Sequence, residues 1–334
     1  MNSWSLVIPF NPQSAPRPSF TIRNVTKTIK GRKVKKRTII PYNETKYSNY
    51  LNAIYAYINK LGMYDDNFTH IINAKYGVIA DIVFYISPGD HVKKVNKITY
   101  TNAPDIDNLI KASLDGIFNN LTVRDSRVVG LRALKLNELD NPRTEITLSG
   151  LFDVDEDSSD HSQCDNALTI IDDKLAQSQI VWTATFPFNP MATPRPVGRV
   201  DIDKKNGKKK AKINSFNPTK YTNYLNSIKK FLMDNDLYNP KLKKVVSAKN
   251  GIIANMNFYC EVPKSQKNIL KITKSTRPDI DNLMKAAIDG IFNNLKEDDS
   301  RIVGVQAFKF NVFAEQAHTD VSLIGLDDVE DEAI

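Results

Sequence analysis

Residues 104–121 read PDIDNLIKASLDGIFNNL, and residues 278–295 read PDIDNLMKAAIDGIFNNL. Fifteen of these eighteen positions are identical, and the second copy begins 174 residues after the first. The chain has 334 residues, a length that suits two domains of ordinary size. The repeated segment therefore predicts a chain built from two copies of one domain, each organised around this segment.

The repeated segment predicts a helix with one apolar face and one polar stripe. Pro104 disfavours helix at the residue before it, so Asp105 and Asp107 should lie together where the helix begins, with Asp107 as its N-cap or in its first turn. Lys111 and Asp115 follow Asp107 at steps of four and extend the polar stripe. The apolar positions recur at helical spacing: Ile110, Leu114, Ile117, Phe118 and Leu121. The second copy has the equivalent stripe in Asp279, Asp281, Lys285 and Asp289.

A further acidic position follows each helix, at Asp125 in the first copy and at Asp299 in the second. Each leads into an apolar run typical of a strand, so we expect Asp125 to join the carboxylates of Asp105 and Asp107, and Asp299 to join those of the second copy. Converging carboxylates favour a hard cation such as Mg²⁺. Such an ion assists phosphodiester hydrolysis, and Lys111 would add positive charge near the scissile phosphate.

Other interpretations of the D-x-D segment are weaker. A lone D-x-D also suits a capped helix, and Lys111 with Asp115 also suits a solvated pair at helical spacing. An EF-hand needs a glycine and a distant glutamate at set positions, and neither fits. A phosphatase-type D-x-D would follow a buried strand, whereas residues 99–103 are polar. Two copies of the whole constellation favour a functional site.

The pattern P-D-I-D-N-L-x-K-A-x-x-D-G-I-F-N-N-L, followed by D-S-R-[IV]-V, resembles the RusA family of Holliday junction resolvases. The resemblance covers each repeat nearly end to end, including a Pro-Arg-Pro segment after the first strand. It implies an endonuclease that cuts branched DNA, four-way junctions above all, with Mg²⁺ as cofactor and Mn²⁺ as an alternative ion. By position it implies that six aspartates bind the metal and that two lysines share the catalytic site: Asp105, Asp107, Asp125, Asp279, Asp281, Asp299, Lys111 and Lys285.

The chain departs from the family pattern at one acidic position. The family usually has an Asp-Asp pair there, which the second copy keeps as Asp298-Asp299 and the first copy replaces with Arg124-Asp125. Alignment of the following Ser-Arg makes Asp125 the counterpart of Asp299. Asp298 is then a further candidate metal ligand.

The charge distribution favours a polyanionic partner. The formal net charge is +8, and the chain without its acidic segments at 151–178 and 327–334 carries +20. Charge alone does not distinguish DNA from RNA or anionic lipid. Two basic runs, 27–37 and 204–212, suit either solvated hairpin tips or contacts to DNA phosphates. The candidate DNA-contacting residues are Arg17, Arg32, Lys33, Lys35, Lys36, Arg37, Arg195, Lys208, Lys209 and Lys210.

Each repeat is predicted to be an α+β domain, with a small mixed or antiparallel sheet packed with two helices. The expected order is a strand, a hairpin, a helix, a strand, the motif helix and two closing strands. Tyrosines of the helix over 43–61 are expected in the core, with base stacking as the alternative. The predicted boundaries are 1–151 for the first domain, 152–178 for an acidic linker, 179–326 for the second domain and 327–334 for an acidic tail.

A tandem arrangement suits a four-way junction, because two equivalent strands must be cut symmetrically. The linker has some 27 residues, enough for the copies to pair within one chain. We therefore expect an intramolecular pseudo-dimer with two metal sites. Three alternatives stay open: a nuclease for forks or flaps, a catalytically inactive junction-binding protein, and an interaction module whose carboxylates do no chemistry.

Several other classes are not favoured. The sequence has no apolar run of about 18 residues, so a membrane span is not predicted. The N-terminal segment MNSWSLVIPFNP lacks the basic and apolar regions of a signal peptide. Cys164 and Cys260 have no metal-ligand spacing, and the four histidines lie outside the motifs. We expect a reduced cytoplasmic setting, that of a bacterial host if the source is a phage.

Overall fold

The computed structural model describes residues 3–17, 19–29, 32–89, 91–152, 180–205 and 208–326. The predicted acidic linker lies outside the described residues except for Phe152, and so does the predicted acidic tail. The proposed domain boundaries therefore stay predictions. No helix in the described ranges is long and apolar enough to cross a membrane.

The two repeats have the same order of elements. The first contains β1 (Ser3–Ile8), β2 (Ser19–Ile29), β3 (Arg32–Tyr42), α1 (Thr45–Lys60), α2 (Asp66–Ile72), β4 (Val78–Ile86), α3 (Ile106–Ile117), β5 (Val128–Asn137) and β6 (Arg143–Gly150). The second contains β7 (Val181–Phe186), β8 (Val197–Lys205), β9 (Lys208–Phe216), α4 (Thr219–Asp234), α5 (Pro240–Val246), β10 (Ile252–Glu261), α6 (Ile280–Phe292), β11 (Ile302–Val312) and β12 (His318–Gly325). This confirms the predicted α+β class, and the predicted elements occur in the predicted sequence along the chain.

The short helices α2 and α5 were absent from the predicted order. Each begins at an N-cap side chain that accepts a hydrogen bond from the backbone N–H three residues on: Asp65 from Phe68 N at 2.8 Å, and Asn239 from Leu242 N at 3.0 Å. Such caps stabilise helices too short to form alone. Seven residues carry too few apolar positions for helical periodicity to stand out in the sequence.

Eight strands form one sheet that runs through both repeats, in the order β1-β6-β4-β5-β11-β10-β12-β7. The pairs β4–β5 and β10–β11 are parallel, and the other pairs are antiparallel. The repeats join at β5 and β11, where Gly130 lies opposite Phe308. A Cβ at position 130 would lie 2.6 Å from Phe308 Cε1, so glycine permits this close approach. The hairpins β2–β3 and β8–β9 form separate two-stranded sheets.

Each motif helix packs against the long helix of its own repeat. A Cβ at Gly116 of α3 would lie 3.1 Å from Ile54 Cβ of α1, so the helices cross closely at that glycine. Tyr47 and Tyr50 of α1 are buried in the core, as predicted, and so are Tyr221 and Tyr224 of α4. Helix α3 also contacts α6 across the repeats, which places the two motif helices side by side beneath the shared sheet.

Candidate active site

The D-x-D pairs lie where the motif helices begin. Asp105 is the N-cap of α3, and Asp107 lies in its first turn with only 4% of its surface exposed. Asn108 Nδ2 donates a hydrogen bond to Asp105 Oδ2 at 3.0 Å. In the second repeat Asp279 is the N-cap of α6, and Asp281 is also 4% exposed. The helix N-terminus therefore places two carboxylates together at a position where its dipole favours negative charge.

The third acidic residue of each site comes from the opposite repeat. Carboxylate oxygens of Asp125, Asp279 and Asp281 all lie within 4.8 Å of one another, and so do oxygens of Asp105, Asp298 and Asp299. The expectation that Asp125 joins the D-x-D pair of its own repeat is therefore wrong, and the same holds for Asp299.

The antiparallel pairing of β5 with β11 explains this exchange. The turn that carries Asp125 precedes β5, and the pairing places the start of β5 beside the second half of β11. There Lys309 Nζ of β11 donates a hydrogen bond to Ser126 O at 2.8 Å. The same ammonium donates to Pro278 O at 2.9 Å, directly before the second D-x-D pair. The turn of one repeat is thus fixed against the motif of the other.

The motif lysines also reach across the repeats. Lys285 Nζ lies 2.7 Å from Asp107 Oδ2, and Lys111 Nζ lies 3.3 Å from Asp281 Oδ2. Lys111 is also 3.7 Å from Asp115, the predicted i,i+4 neighbour. We call the two groups the first composite site (Asp105, Asp107, Lys285, Asp298, Asp299) and the second composite site (Asp279, Asp281, Lys111, Asp125).

The carboxylates are close enough to perturb one another. Burial, followed by the charges of Asp279 and Asp281, raises the pKa of Asp125 to about 6. Burial, followed by the charges of Asp105 and Asp107, raises the pKa of Asp299 to about 7. Carboxylates with perturbed pKa values are typical of functional sites. A bound cation would relieve the repulsion between these carboxylates.

One buried oxygen supports a cation at the second composite site. Asp279 Oδ1 is buried and has no hydrogen-bond donor among the residues that the structure describes. A buried acceptor without a partner costs free energy, and a divalent cation with oxygen ligands would satisfy it. The donor set of each composite site consists of carboxylates, which is the set that Mg²⁺ prefers.

Tyrosines of the core hold the last aspartate of each polar stripe. Tyr47 Oη donates to Asp115 Oδ2 at 2.9 Å, and Tyr221 Oη donates to Asp289 Oδ2 at the same distance. Burial raises the pKa of Asp289, while the nearby charges of Lys285 and Arg17 oppose that rise. Arg17 of the first repeat therefore acts electrostatically on Asp289 of the second repeat.

Two buried lysines support the sites and were missed in the sequence. Lys135 and Lys309 are fully buried in β5 and β11. Lys135 Nζ donates to Asn102 O at 3.1 Å, Pro104 O at 3.0 Å and Ser300 O at 2.7 Å. Burial lowers the pKa of Lys135 to about 8. The available signal was a lysine at the same place in an apolar strand of both copies, Leu134-Lys135-Leu136 and Phe308-Lys309-Phe310.

The predicted DNA-contacting residues lie on loops and on the hairpins. Arg17 and Arg195 are exposed. The backbone of the remaining candidates follows β3 and β9, while their side chains lie outside the described residues: Arg32, Lys33, Lys35, Lys36, Arg37, Lys208, Lys209 and Lys210. Their role in DNA binding stays a prediction.

Comparison with protein families finds a match in each repeat. The model of the family described as endodeoxyribonuclease RusA matches residues 9–149 and again residues 187–323. The two matches cover both repeats separately, in agreement with a tandem duplication. A search of curated proteins found no match to the chain.

Proposed function

Because the chain belongs to the RusA family of endodeoxyribonucleases, we propose that it is a Mg²⁺-dependent nuclease that resolves four-way DNA junctions by paired phosphodiester hydrolysis. The observation that supports this most is the exchange of carboxylates between repeats. Each composite site contains residues of both repeats. One chain therefore carries two equivalent sites, which the duplication relates to each other. Two such sites match the two equivalent strands of a four-way junction.

The carboxylates are the proposed metal ligands. Asp105, Asp298 and Asp299 would hold the ion in the first composite site, and Asp125, Asp279 and Asp281 in the second, with Mn²⁺ as an alternative ion. A bound divalent ion activates water and stabilises the leaving oxygen during phosphodiester hydrolysis. Asp107 is the acceptor of Lys285 and completes the first composite site.

The lysines have a separate task in this proposal. Lys285 and Lys111 hold a carboxylate of the opposite repeat and supply positive charge where the scissile phosphate lies. Fixed positive charge in a partly buried site stabilises the negative charge that develops in the transition state. The hydrogen bonds from Tyr47 and Tyr221 to the helix aspartates keep this polar stripe in position.

The experiment that tests the proposal is cleavage of a labelled synthetic four-way junction in Mg²⁺, beside duplex, fork and flap substrates. The variants are Asp107→Asn and Asp281→Asn, singly and together. The proposal predicts paired nicks on the junction, a single remaining active site in each single variant and no cleavage by the double variant. Faster cleavage of forks or flaps would assign a different branched substrate, and tight junction binding without cleavage by the unaltered protein would overturn the nuclease assignment.

A further inference from the structure

A basic pocket lies beside the second composite site. Its cavity has a volume of about 370 Å³. Four of its eight lining residues are cations and none is acidic: Lys75, Arg124, Arg127 and Lys271. Ser126 also lines it, so the pocket contains both chain neighbours of Asp125, the third carboxylate of that site. Lys271 comes from the second repeat, and the pocket therefore exists only where the repeats meet.

Backbone carbonyls hold two of these cations in place. Lys271 Nζ donates to Lys75 O at 2.7 Å, and Arg127 Nε donates to Ile72 O at 3.2 Å. The guanidinium of Arg127 also donates to Ala74 O. Neither Arg127 nor Lys271 forms a salt bridge with an acidic side chain in the described ranges. Both cations keep N–H groups that these carbonyls do not use, because an ammonium has three donors and a guanidinium has five.

Arg124 is an exposed cation of the pocket, as is Lys75. Within the part of the chain that the structure describes, the side chain of Arg124 forms neither a salt bridge nor a hydrogen bond. A guanidinium presents a planar set of donors that matches the oxygens of a phosphate. The pocket therefore combines two positioned cations with one that is available to an incoming anion.

The equivalent surface beside the first composite site has a negative charge at the position that corresponds to Arg124. Lys97 Nζ donates to Lys249 O at 2.8 Å, so the scaffold of the pocket is repeated there. Asp298 stands where the pocket has Arg124, and it joins the carboxylates of the first composite site. Glu297 replaces Val123, while Lys296 replaces Thr122 and adds one cation. Of these three differences, only that between Arg124 and Asp298 reverses a charge, and it lies next to the third carboxylate of each site.

We propose that the basic pocket binds a backbone phosphate of the DNA strand that is cut at the second composite site, and that the first composite site has no equivalent contact. The proposal rests on the proposed function in so far as DNA is the substrate. It implies that the chain holds the two strands of a junction unequally, although the carboxylate groups are repeated. A phosphodiester group is the ligand class, because the pocket offers charged N–H donors and its lining contains no acidic side chain.

The binding test uses Arg124→Ser and the matched variant Lys296→Ser, which removes one exposed cation from the equivalent surface. Both changes are made in the inactive Asp107→Asn, Asp281→Asn background, so binding is measured without cleavage. We expect Arg124→Ser to weaken junction binding about tenfold and to lower the slope of log K against log salt by about 1. Lys296→Ser should change binding less than about twofold. Equal losses of junction affinity in the two variants, or no loss in Arg124→Ser, would overturn the proposal that the pocket binds a phosphate.

The cleavage test determines which composite site depends on the phosphate that is bound in the basic pocket. Only the second composite site is intact in the Asp107→Asn background, and only the first in the Asp281→Asn background. Arg124→Ser should slow cleavage several-fold in the former and leave the latter unchanged. Equal slowing in both backgrounds would contradict the assignment while leaving the nuclease function in place. If the inactive background binds no junction at any salt concentration, the pocket and the proposed function both fail.

Discussion

Lys285 Nζ lies 2.7 Å from Asp107 Oδ2, and the two residues belong to different repeats, 178 positions apart in the chain. Asp107 is almost fully buried, whereas the lysine side chain is 22% exposed. The counterpart, Lys111 with Asp281, has the same arrangement at 3.3 Å. Each D-x-D pair therefore depends on a lysine that the other repeat supplies, and neither repeat contains a complete site alone.

This relationship predicts the effect of Lys285→Gln. In the Asp281→Asn background only the first composite site is intact, and there we expect Lys285→Gln to slow cleavage about 10²- to 10³-fold, because a fixed positive charge is lost beside the reacting phosphate. Single-turnover cleavage of a labelled junction is the measurement. In the Asp107→Asn background the same change should have little effect, since Lys111 serves the site that remains.

Lys135→Met should impair the first composite site selectively. The change removes the ammonium that donates to three carbonyls, two of them beside Asp105 and the third beside Asp299. Misplacement of catalytic groups by about 1 Å costs about 10²-fold in rate. We expect a loss of that size in the Asp281→Asn background, together with weaker activation by Mg²⁺.

Lys309→Met is the matched control for Lys135→Met. It should impair the second composite site in the Asp107→Asn background and spare the first, because Lys309 holds Ser126, Thr276 and Pro278. Equal losses at both sites from either change would indicate general destabilisation instead of local positioning. Circular dichroism would show whether each variant still folds.

The carboxylates also predict how stability depends on pH. The pKa values of Asp125, about 6, and Asp299, about 7, lie above the ordinary value of 3.8. Between about pH 4 and pH 7 the folded state therefore binds more protons than the unfolded state, and these groups make the free energy of unfolding fall as pH rises.

Mg²⁺ should reverse this loss, because it binds the deprotonated carboxylates of the folded state. We expect Mg²⁺ to raise Tm more at pH 7.5 than at pH 5, as measured by calorimetry. Asp125→Asn together with Asp299→Asn should abolish most of the difference. An equal rise in Tm at both pH values would contradict a carboxylate metal site.

Junction binding should depend strongly on salt. Each phosphate that a cation neutralises contributes about 0.9 to the slope of log K against log salt. Replacing five cations of β3 with serine should lower that slope by up to about 4.5, if all five contact phosphates: Arg32, Lys33, Lys35, Lys36 and Arg37. An unchanged slope would mean that the hairpin is a solvated surface, the alternative that its sequence also allows.

The fold could be predicted largely from the sequence because its signals are local. The motif helix shows apolar periodicity, and the β-branched and aromatic residues of β4 (Val78–Ile86) are typical of a strand. The single sheet across both repeats could not be predicted, because the pairing of β5 with β11 is a contact between distant segments. Gly130 permits the close approach of Phe308 in that pairing, yet a glycine in a strand does not indicate which segment will pack against it.

The candidate residues could be chosen from the sequence, but how they group could not be predicted from it. The residue types at Asp105, Asp107 and Lys111 indicate metal and phosphate chemistry, whichever residues of the two repeats come together in the fold. Which carboxylates meet depends on the antiparallel join of the repeats, and both groupings are compatible with the same spacing in the sequence. Lys135 was missed because a lysine in an apolar strand is ordinarily expected at the surface.

The composite arrangement is tested most directly by two double variants in Mg²⁺-dependent junction cleavage. Asp107→Asn with Asp299→Asn changes both repeats but only the first composite site, so the second should still cleave at the rate of Asp107→Asn alone. Asp107→Asn with Asp125→Asn changes one repeat but both composite sites, so cleavage of both strands should be lost. The reverse result, with activity kept by the second double variant and lost by the first, would contradict the composite sites.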